Sequence, residues 1–471
     1  MRQQAKPTEK VTILGAGPCG LGAAWRLKER GFEGFEIFEA VDHAGGLASS
    51  FVDSQGFTWD IGGHVQFSHY EDFDRVMEIA LPNGWLEHSR ESWVWIRDRF
   101  VAYPFQNNFW KLDEAERQLC LDGLEAVNKA QKSGATMRPK NFDEWIDQSF
   151  GAGIADIFLK PYNKKVWAYA PEKLSCSWMG ERVATIDLDK IKKNLNEKKD
   201  EVSWGPNAKF QFPKKGGTGA IWKSVAEKIG IQKIKFKKRL QKIDTKTKTL
   251  FFEDGSSQKY EILLSTLSLN HLMESAKLSM KDKLLFSDSH IIGIGLRGQP
   301  PEHLRKKSWM YFPEDNCPFY RVTVFSNYSP ANVPDSKTTW SLMCETSSST
   351  DKSVDEQKLI ENTIQGLINS KLITKSDEII SKWSYVARPG YPTPSLNRDE
   401  IVEDAFSQLK EHQIYSRGRF GAWKYEVSNQ DHTFMQGFEW ADWFLNGTEE
   451  QTVNFPQLVN ASGKRSLRTP N

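Results

Sequence analysis

The chain has 471 residues, and its 63 Lys and Arg nearly balance 61 Asp and Glu, for a formal net charge of +2. That length exceeds what one core of about 100–200 residues organises, so two or three domains are expected, and the charge balance argues against nucleic acid as a partner. No apolar run reaches the roughly 18 residues of a membrane helix, the polar start MRQQAKPTEK lacks a signal-peptide core, and five scattered cysteines follow neither a pairing pattern nor metal-ligand spacing.

A protein without a membrane contact or a metal, in a reducing cytoplasmic setting, is therefore expected. Tryptophan is abundant, at 17 residues. Aromatics at that density fill cores or provide stacking surfaces for ring-shaped ligands.

Lys10 to Leu14 (KVTIL) reads as a short buried strand, GAGPCG follows at Gly15 to Gly20, and LGAAWRLKERG continues as an apolar-periodic helix ending at Gly31. FEIFEA, Phe35 to Ala40, is a second strand carrying Glu39. Strand, glycine turn, helix, strand and acid make the dinucleotide-binding βαβ unit. Gly15 permits the tight turn, Gly17 lets backbone approach a pyrophosphate, and Gly20 lets the helix pack on the strand. Glu39 can hold ribose hydroxyls, which favours NAD or FAD over NADP.

The second glycine pair, in HAGGLASS (His43 to Ser50), is not needed for NAD but suits a long, extended FAD. DIGGH then places Gly62 and Gly63 where bare backbone can lie against a flavin ring. From Phe109 to about Asp200 the chain turns helical and charged, reading as an inserted helical domain, with Asp187 to Glu201 as a solvated face or mobile segment. Asn163 and Trp167 are four apart and share a face if helical. Strand-like pieces follow (KFQFP, TLFFEDG, YEILLSTL, HIIGIGLRG, WMYFP, FYRVTVFSNYS, TTWSLMCE), suggesting a largely antiparallel second sheet. A loop and a helix from about Asp431 close the chain.

The stretches GAGPCGLGAAWRL, GGLASS, GGHVQFSHY, YPFQNN, KPYNKKVWA, GERVA, WGPNAKFQFP, GGTGAIW, WMYFPEDNCPFYRVTVFSNYSP, GYPTP and RGRFGAWKYEVSNQDHTFM run through nearly the whole chain. Together they resemble the UDP-galactopyranose mutases of the eukaryotic type. The resemblance implies an α/β fold: a Rossmann-like FAD-binding domain with an inserted α-helical domain and an antiparallel β-sheet domain. The expected boundaries are 1–108 for the first part of the FAD domain, 109–203 for the helical domain, 204–300 for the second FAD part with sheet, 301–390 for the substrate-side sheet, and 391–471 for the closing FAD segment.

The implied activity is interconversion of UDP-galactopyranose and UDP-galactofuranose without net redox change. Reduced FAD acts through a covalent adduct of its N5 with the sugar's anomeric carbon. NADPH or NADH is the implied transient reductant, although no second GxGxxG is present.

The resemblance also assigns roles. Gly15, Gly17, Pro18, Gly20, Glu39, Gly46, Leu47, Gly62, Gly63, His64, Arg419, Asn429 and Gln430 belong to FAD. His64 is the histidine beside the flavin, and Gly63 leaves a carbonyl for N5–H. Arg182 and Arg321 hold the diphosphate, for which planar guanidinium suits better than ammonium. Tyr311, Tyr391 and Tyr425 match phosphate contacts. Tyr103, Phe105, Gln106, Phe158, Asn163 and Trp167 match the uracil site, with Asn207 and Asn429 as sugar or pyrophosphate contacts and Phe67 and His69 lining the pocket beside His64.

Two matters stay open on sequence alone. A related UDP-pyranose could replace galactose, since no motif reads the sugar's C6 group. The segment between FSNYSP and TTWSLMCE is shorter than expected in fungal relatives and the tail ends soon after the final helix; either can remove oligomer contacts, and an oligomer stays possible. An amine-oxidase-type flavin oxidase and a non-catalytic flavin or nucleotide-sugar binder are the competing classes.

Overall fold

The structure is a computed structural model that describes residues 9–134, 137–179, 186–202 and 208–461. Arg182 and Asn207 lie outside these residues.

Two sheets carry the architecture. The first is parallel and five-stranded, in the order Ile414–Ser416, Ile262–Ser265, Val11–Leu14, Phe35–Phe38, Ile234–Lys235. Its central strands, VTIL and ILLS, are buried at every residue, as sheets covered on both faces require. This differs from the expectation that YEILLSTL joins the antiparallel sheet. Its three consecutive apolar residues, Ile262 to Leu264, lack polar alternation, which is consistent with a strand buried on both sides. KFQFP and TLFF also go elsewhere: the first pairs with Trp85–Ser89 and the second joins a three-stranded meander.

The helix Pro18–Glu29 follows the glycine turn and packs along the closing helix Gln430–Asn446. Their backbones nearly touch: a Cβ at Gly437 would stand 1.9 Å from the Cys19 carbonyl oxygen, and one at Gly22 would stand 2.2 Å from that of Phe434. Arg26 ties the same pair together, with Nε 2.9 Å and Nη2 2.9 Å from the two Asp442 oxygens, both side chains being buried.

The second sheet has seven strands: Ile379–Pro392, Phe286–Arg297, Thr339–Ser348, Arg321–Val324, Trp309–Tyr311, Ser92–Ile96, Arg99–Ala102. All contacts are antiparallel except that between Trp309–Tyr311 and Ser92–Ile96. The register places Tyr311 opposite Arg321, Arg321 opposite Glu345, and Glu345 opposite Ile291. Because alternate strand residues share a face, this row and its neighbours Trp309, Thr323 and Ser289 point the same way.

Helices Glu114–Lys132, Phe142–Ile154, Lys160–Trp167 and Leu188–Glu197 follow one another with their own apolar core. A π-helical segment, Ala155–Leu159, leads into Lys160–Trp167, a geometry that often marks functional sites. The charged run expected as a solvated face forms a helix capped by the Asp187 side chain on the Lys190 amide at 3.0 Å.

Candidate active site

A cleft of about 500 Å³ runs between the two sheets. At one end Gly15, Gly17, Pro18, Glu39, Gly46 and Leu47 line it. The three glycines of the first turn serve three purposes. Gly15 takes φ +101°, a Cβ on Gly20 would stand 2.0 Å from the Gly15 carbonyl oxygen, and Gly17 has no other group closer than 3.7 Å to where its Cβ would be. A Cβ on Gly46 would press on the Gly17 α-carbon at 3.3 Å, so two bare backbones face one another across the cleft wall. Gly20 thus supports the turn from behind. Glu39 accepts the Ala16 amide at 2.7 Å and the Val41 amide at 3.0 Å, and each carboxylate oxygen keeps further acceptor capacity.

In the middle, the loop Gly62–His64 lines the cleft with Phe67. It is anchored at both ends. Before it, buried Asp60 accepts the Thr218 hydroxyl at 2.7 Å and the Thr218 amide at 3.2 Å, fixing the loop to the start of the helix Gly219–Ile229. Burial pushes the Asp60 carboxyl up to about 6 against the pull of its Ser50 and Thr218 hydrogen bonds. After it, Gln66 and Gln211 exchange backbone hydrogen bonds at 2.9 and 2.8 Å. Burial also lowers the His64 imidazole to about 4, with Glu345 opposing and Arg419 and Arg321 adding to the shift. His64 is therefore neutral near pH 7.

The cleft is lined further by Tyr311, Arg321, Tyr391, Arg419, Tyr425, Asn429 and Gln430. The Arg321 side chain is 21% exposed and forks onto buried Glu345, Nε to Oε1 at 2.6 Å and Nη2 to Oε2 at 2.7 Å. This leaves Nη1 and one Nη2 hydrogen outside that fork. Burial raises the Tyr311 and Tyr391 hydroxyls, so both remain phenols able to donate. Tyr311 accepts from Trp309 Nε1 at 2.7 Å and keeps its own hydrogen for another partner.

Arg419 spends most of its donors within the protein. It reaches the Gly390 carbonyl at 3.1 Å and the Ser428 carbonyl and hydroxyl at 3.1 and 2.9 Å, and lies 4.8 Å over the Tyr391 ring. Gln430 accepts from Trp222 Nε1 at 2.7 Å.

Several expected residues are not brought to the cleft wall. His69 is buried, its amide and Nδ1 lying 3.1 and 2.7 Å from Asp431 Oδ2 and its ring stacked 4.6 Å from His432. An acid in the first turn of the closing helix has captured this imidazole. Phe105, Phe158 and Trp167 are core rings. Phe105 lies 4.7 Å from Phe158, and Trp167 lies 4.7 Å from Tyr425 and 6.0 Å from Tyr391. Gln106 is buried beside them. Tyr103 sits 5.0 Å from Tyr311, and half-buried Asn163 donates to the Leu159 carbonyl at 2.8 Å. The aromatic block thus continues from the cleft tyrosines into the helical domain.

Sequence reasoning missed two side chains here. Glu345 is the lone charge in the strand TWSLMCETSS, and a lone buried acid needs a partner, which was the available signal. Gln66 is 6% exposed, lines the cleft, and has neither amide atom hydrogen-bonded. His64 Nδ1, Ser289 Oγ and Thr433 Oγ1 are likewise buried without partners on the same cleft. Such a concentration of unsatisfied polar atoms fits a polar ligand with several acceptors and donors. Together with the bare glycine cradle, it fits FAD.

The comparisons agree with this geometry. A family model described as flavin containing amine oxidoreductase matches residues 18–291, more than half of the chain and well beyond the two glycine segments. A crystal structure of reduced UDP-galactopyranose mutase is 47% identical, covers 98% of this chain and 99% of its own, and superposes with a TM-score of 0.94. A putative protoporphyrinogen oxidase from Exiguobacterium shares the fold at 14% identity and TM-score 0.68, over 91% of this chain and 98% of its own. The maize zeta-carotene desaturase is 39% identical over 86 residues, 18% of this chain and only 15% of the desaturase.

Fold and cleft define a flavoprotein of the amine oxidoreductase class. Within that class, the chain belongs to the UDP-galactopyranose mutase family.

Proposed function

We propose that the protein interconverts UDP-galactopyranose and UDP-galactofuranose on reduced FAD, with no net redox change. The observation that carries the reading is the cross-strand row Tyr311–Arg321–Glu345, which turns a guanidinium and a phenol into a flavin-type cleft. In support, the relative named as a mutase is alike over both whole chains.

When bound, reduced FAD supplies the nucleophile for the anomeric carbon and a way for the sugar ring to open and reclose. The protein's part is to bind, orient and exclude water. Gly15, Gly17, Gly46 and Glu39 hold the dinucleotide, with Pro18, Leu47, Asn429 and Gln430 along its path, while Gly20 and Arg419 brace the walls. Arg321, with Arg182 from outside the described residues, holds the diphosphate by charge-assisted hydrogen bonds. Tyr311, Tyr391 and Tyr425 add phenol donors. The uracil end is assigned to Tyr103, Phe105, Gln106, Phe158, Asn163 and Trp167, of which Tyr103 abuts Tyr311 and Trp167 abuts Tyr425. Asn207 is assigned to the sugar side, with Phe67 and His69 around the His64 loop.

His64, neutral near pH 7, steadies the flavin-side loop as a hydrogen-bonding group and not as a cation. NADPH or NADH is the proposed source of electrons, acting in a cytoplasmic setting. No helix among the described residues is long and apolar enough to cross a membrane.

The amine-oxidase alternative is disfavoured by the charges. Of the cleft carboxylates, Glu39 belongs to the dinucleotide turn, and Glu345 and Asp431 are turned onto Arg321 and His69, so a cationic amine beside the Gly62–His64 loop would meet guanidinium instead of free acid.

The test is Arg321→Ala, with Arg321→Lys beside it because removing the guanidinium leaves Glu345 buried and unpaired. Both variants are expected to retain FAD. The alanine variant should lose about 10²- to 10³-fold in kcat/KM with UDP-galactofuranose, and the lysine variant part of that, as expected for lost bidentate contacts. Unchanged kcat/KM and UDP affinity in Arg321→Ala would contradict the diphosphate assignment.

A further inference from the structure

Away from the cleft wall, an amine and a thiol from different parts of the fold are in contact. Lys165 belongs to the helix Lys160–Trp167 and stands between Asn163 and Trp167, both proposed above for the uracil end. Cys317 belongs to the loop 312–320, which joins the strand of Tyr311 to the strand of Arg321. Both side chains are buried, while the adjoining Asp315 and Asn316 are exposed, so the pair lies just beneath the surface.

Lys165 Nζ is 2.8 Å from the Glu314 carbonyl oxygen, 3.0 Å from that of Cys317 and 3.5 Å from Cys317 Sγ. Each partner is held from behind. The Lys165 carbonyl accepts from the Ser347 hydroxyl and from Lys352 Nζ, the latter at 3.3 Å. A Cβ on Gly366, in the helix Leu359–Asn369, would stand 2.8 Å from Cys317 Cβ.

An amine that only pins a loop needs carbonyls and no sulfur. Burial acts on both partners here. It lowers the Lys165 ammonium against the pull of Cys317, Asp315 and Glu314, and it raises the Cys317 thiol against the pull of Lys165. Each is moved toward its neutral form. A neutral amine has two N–H groups, which the Glu314 and Cys317 carbonyls accept, and a lone pair, which is left for the thiol. The contact thus joins a nucleophilic nitrogen to an oxidisable sulfur.

We propose that Lys165 and Cys317 form a modification site for peroxides, at which oxidation joins the two side chains by a sulfur–nitrogen bond. The Cys317 sulfur attacks one oxygen of hydrogen peroxide and the O–O bond breaks. The thiol proton joins the departing hydroxide as water, leaving a sulfenic acid. Lys165 Nζ then attacks that sulfur, the S–O bond breaks, and hydroxide leaves with one amine proton as a second water. Sulfur has lost two electrons, and the peroxide has taken both. Two molecules of a small thiol reverse the link, restoring thiol and amine and leaving as a disulfide.

The bond itself is independent of the UDP-sugar reading. Its nearest source of oxidant rests on that reading, because dioxygen that takes the electrons of a reduced flavin becomes hydrogen peroxide. The two residues are 152 positions apart, so the link closes a long loop and restricts the unfolded chain. It also makes the seat of the helical domain on the seven-stranded sheet covalent.

The experiment treats the FAD-loaded full chain, with its flavin oxidised, with hydrogen peroxide. Remaining thiols are alkylated, and the digested protein is read by mass spectrometry before and after a thiol reductant. Cys317→Ser and Lys165→Arg are run beside it; the arginine keeps donors for the two carbonyls but has no nucleophilic amine. The wild type is expected to yield one linked pair of peptides, containing Lys165 and Cys317 and lacking two hydrogens, that the reductant separates. Its melting temperature should rise by about 3 °C or more on oxidation and return on reduction, as closing a long loop requires. Neither variant should show the link or the rise. Should a variant fail to fold, the wild-type peptides and their reversal decide alone. Cys317 recovered unmodified, as sulfinic acid, or in a disulfide with the buried Cys344 of the strand Thr339–Ser348 would overturn the site. A link that retains an oxygen atom would overturn the direct sulfur–nitrogen bond.

Discussion

At the scale of the residue, environment decides chemistry more than residue type does. His64 has an imidazole whose charged form burial disfavours, and its proton affinity falls to about 4. Labelled His64 in the FAD-loaded protein should therefore show no NMR titration between pH 5 and 8, and a midpoint near 6.5 would contradict the neutral assignment. Gln66 presents two unsatisfied amide atoms to the cleft. Gln66→Leu, of similar size, removes a polar group that only a ligand can satisfy. It should raise the KM for a UDP-sugar roughly 5- to 10-fold, the value of about one hydrogen bond, with little loss of thermal stability. A fall in melting temperature at unchanged KM would assign Gln66 a structural role. The roles of Gly15, Gly17 and Gly20 were legible in the sequence because each answers a local backbone demand. The capture of His69 by Asp431 was not, because it joins residues 362 positions apart.

Elements decide how close the parts of the cleft can come. The opening and closing helices touch through glycine, and Gly437 lies against the carbonyl of Cys19, two residues after Gly17 in the cofactor turn. Gly437→Ala forces the helices apart and should cost about 1–3 kcal/mol, as overpacking does. A drop of several degrees in melting temperature together with weaker FAD retention is expected, and an unchanged melting temperature would contradict the packing described.

Period and glycine spacing make the opening βαβ unit and the closing helix readable from the amino-acid sequence alone. The allocation of later strands is less so. KFQFP, TLFF and ILLS look alike as short apolar runs, and only their partners in space separate a two-stranded ribbon, a meander and a central parallel strand. The aromatics proposed for the uracil end show the same limit. Their spacing is clear, but their packing as core rings follows from the helical domain closing over them.

Over the whole molecule, stability and function share the closing helix. Glu439 is buried there, with the Thr452 amide and hydroxyl each at 2.7 Å. Burial pushes its carboxyl up to about 8 against the pull of those hydrogen bonds. An acid held protonated in the fold binds its proton more tightly than in the unfolded chain. Its contribution to stability is therefore greatest below the ordinary carboxylate range and falls as pH rises toward about 8. Glu439→Gln cannot ionise, so its melting temperature relative to the wild type should rise by at least about 2 °C between pH 5 and pH 8. A difference that shrinks with pH would reverse the sign of this argument.

The proposed reaction needs a reduced flavin yet does not consume it. The direct measurement is to reduce the FAD-loaded protein anaerobically with one two-electron equivalent of dithionite, add excess UDP-galactofuranose, and count product molecules per flavin while recording the flavin spectrum. Many UDP-galactopyranose molecules per flavin, with the flavin still reduced and an oxidised control inert, is the expected result. At most one turnover per flavin, with the flavin reoxidised as product forms, would contradict it.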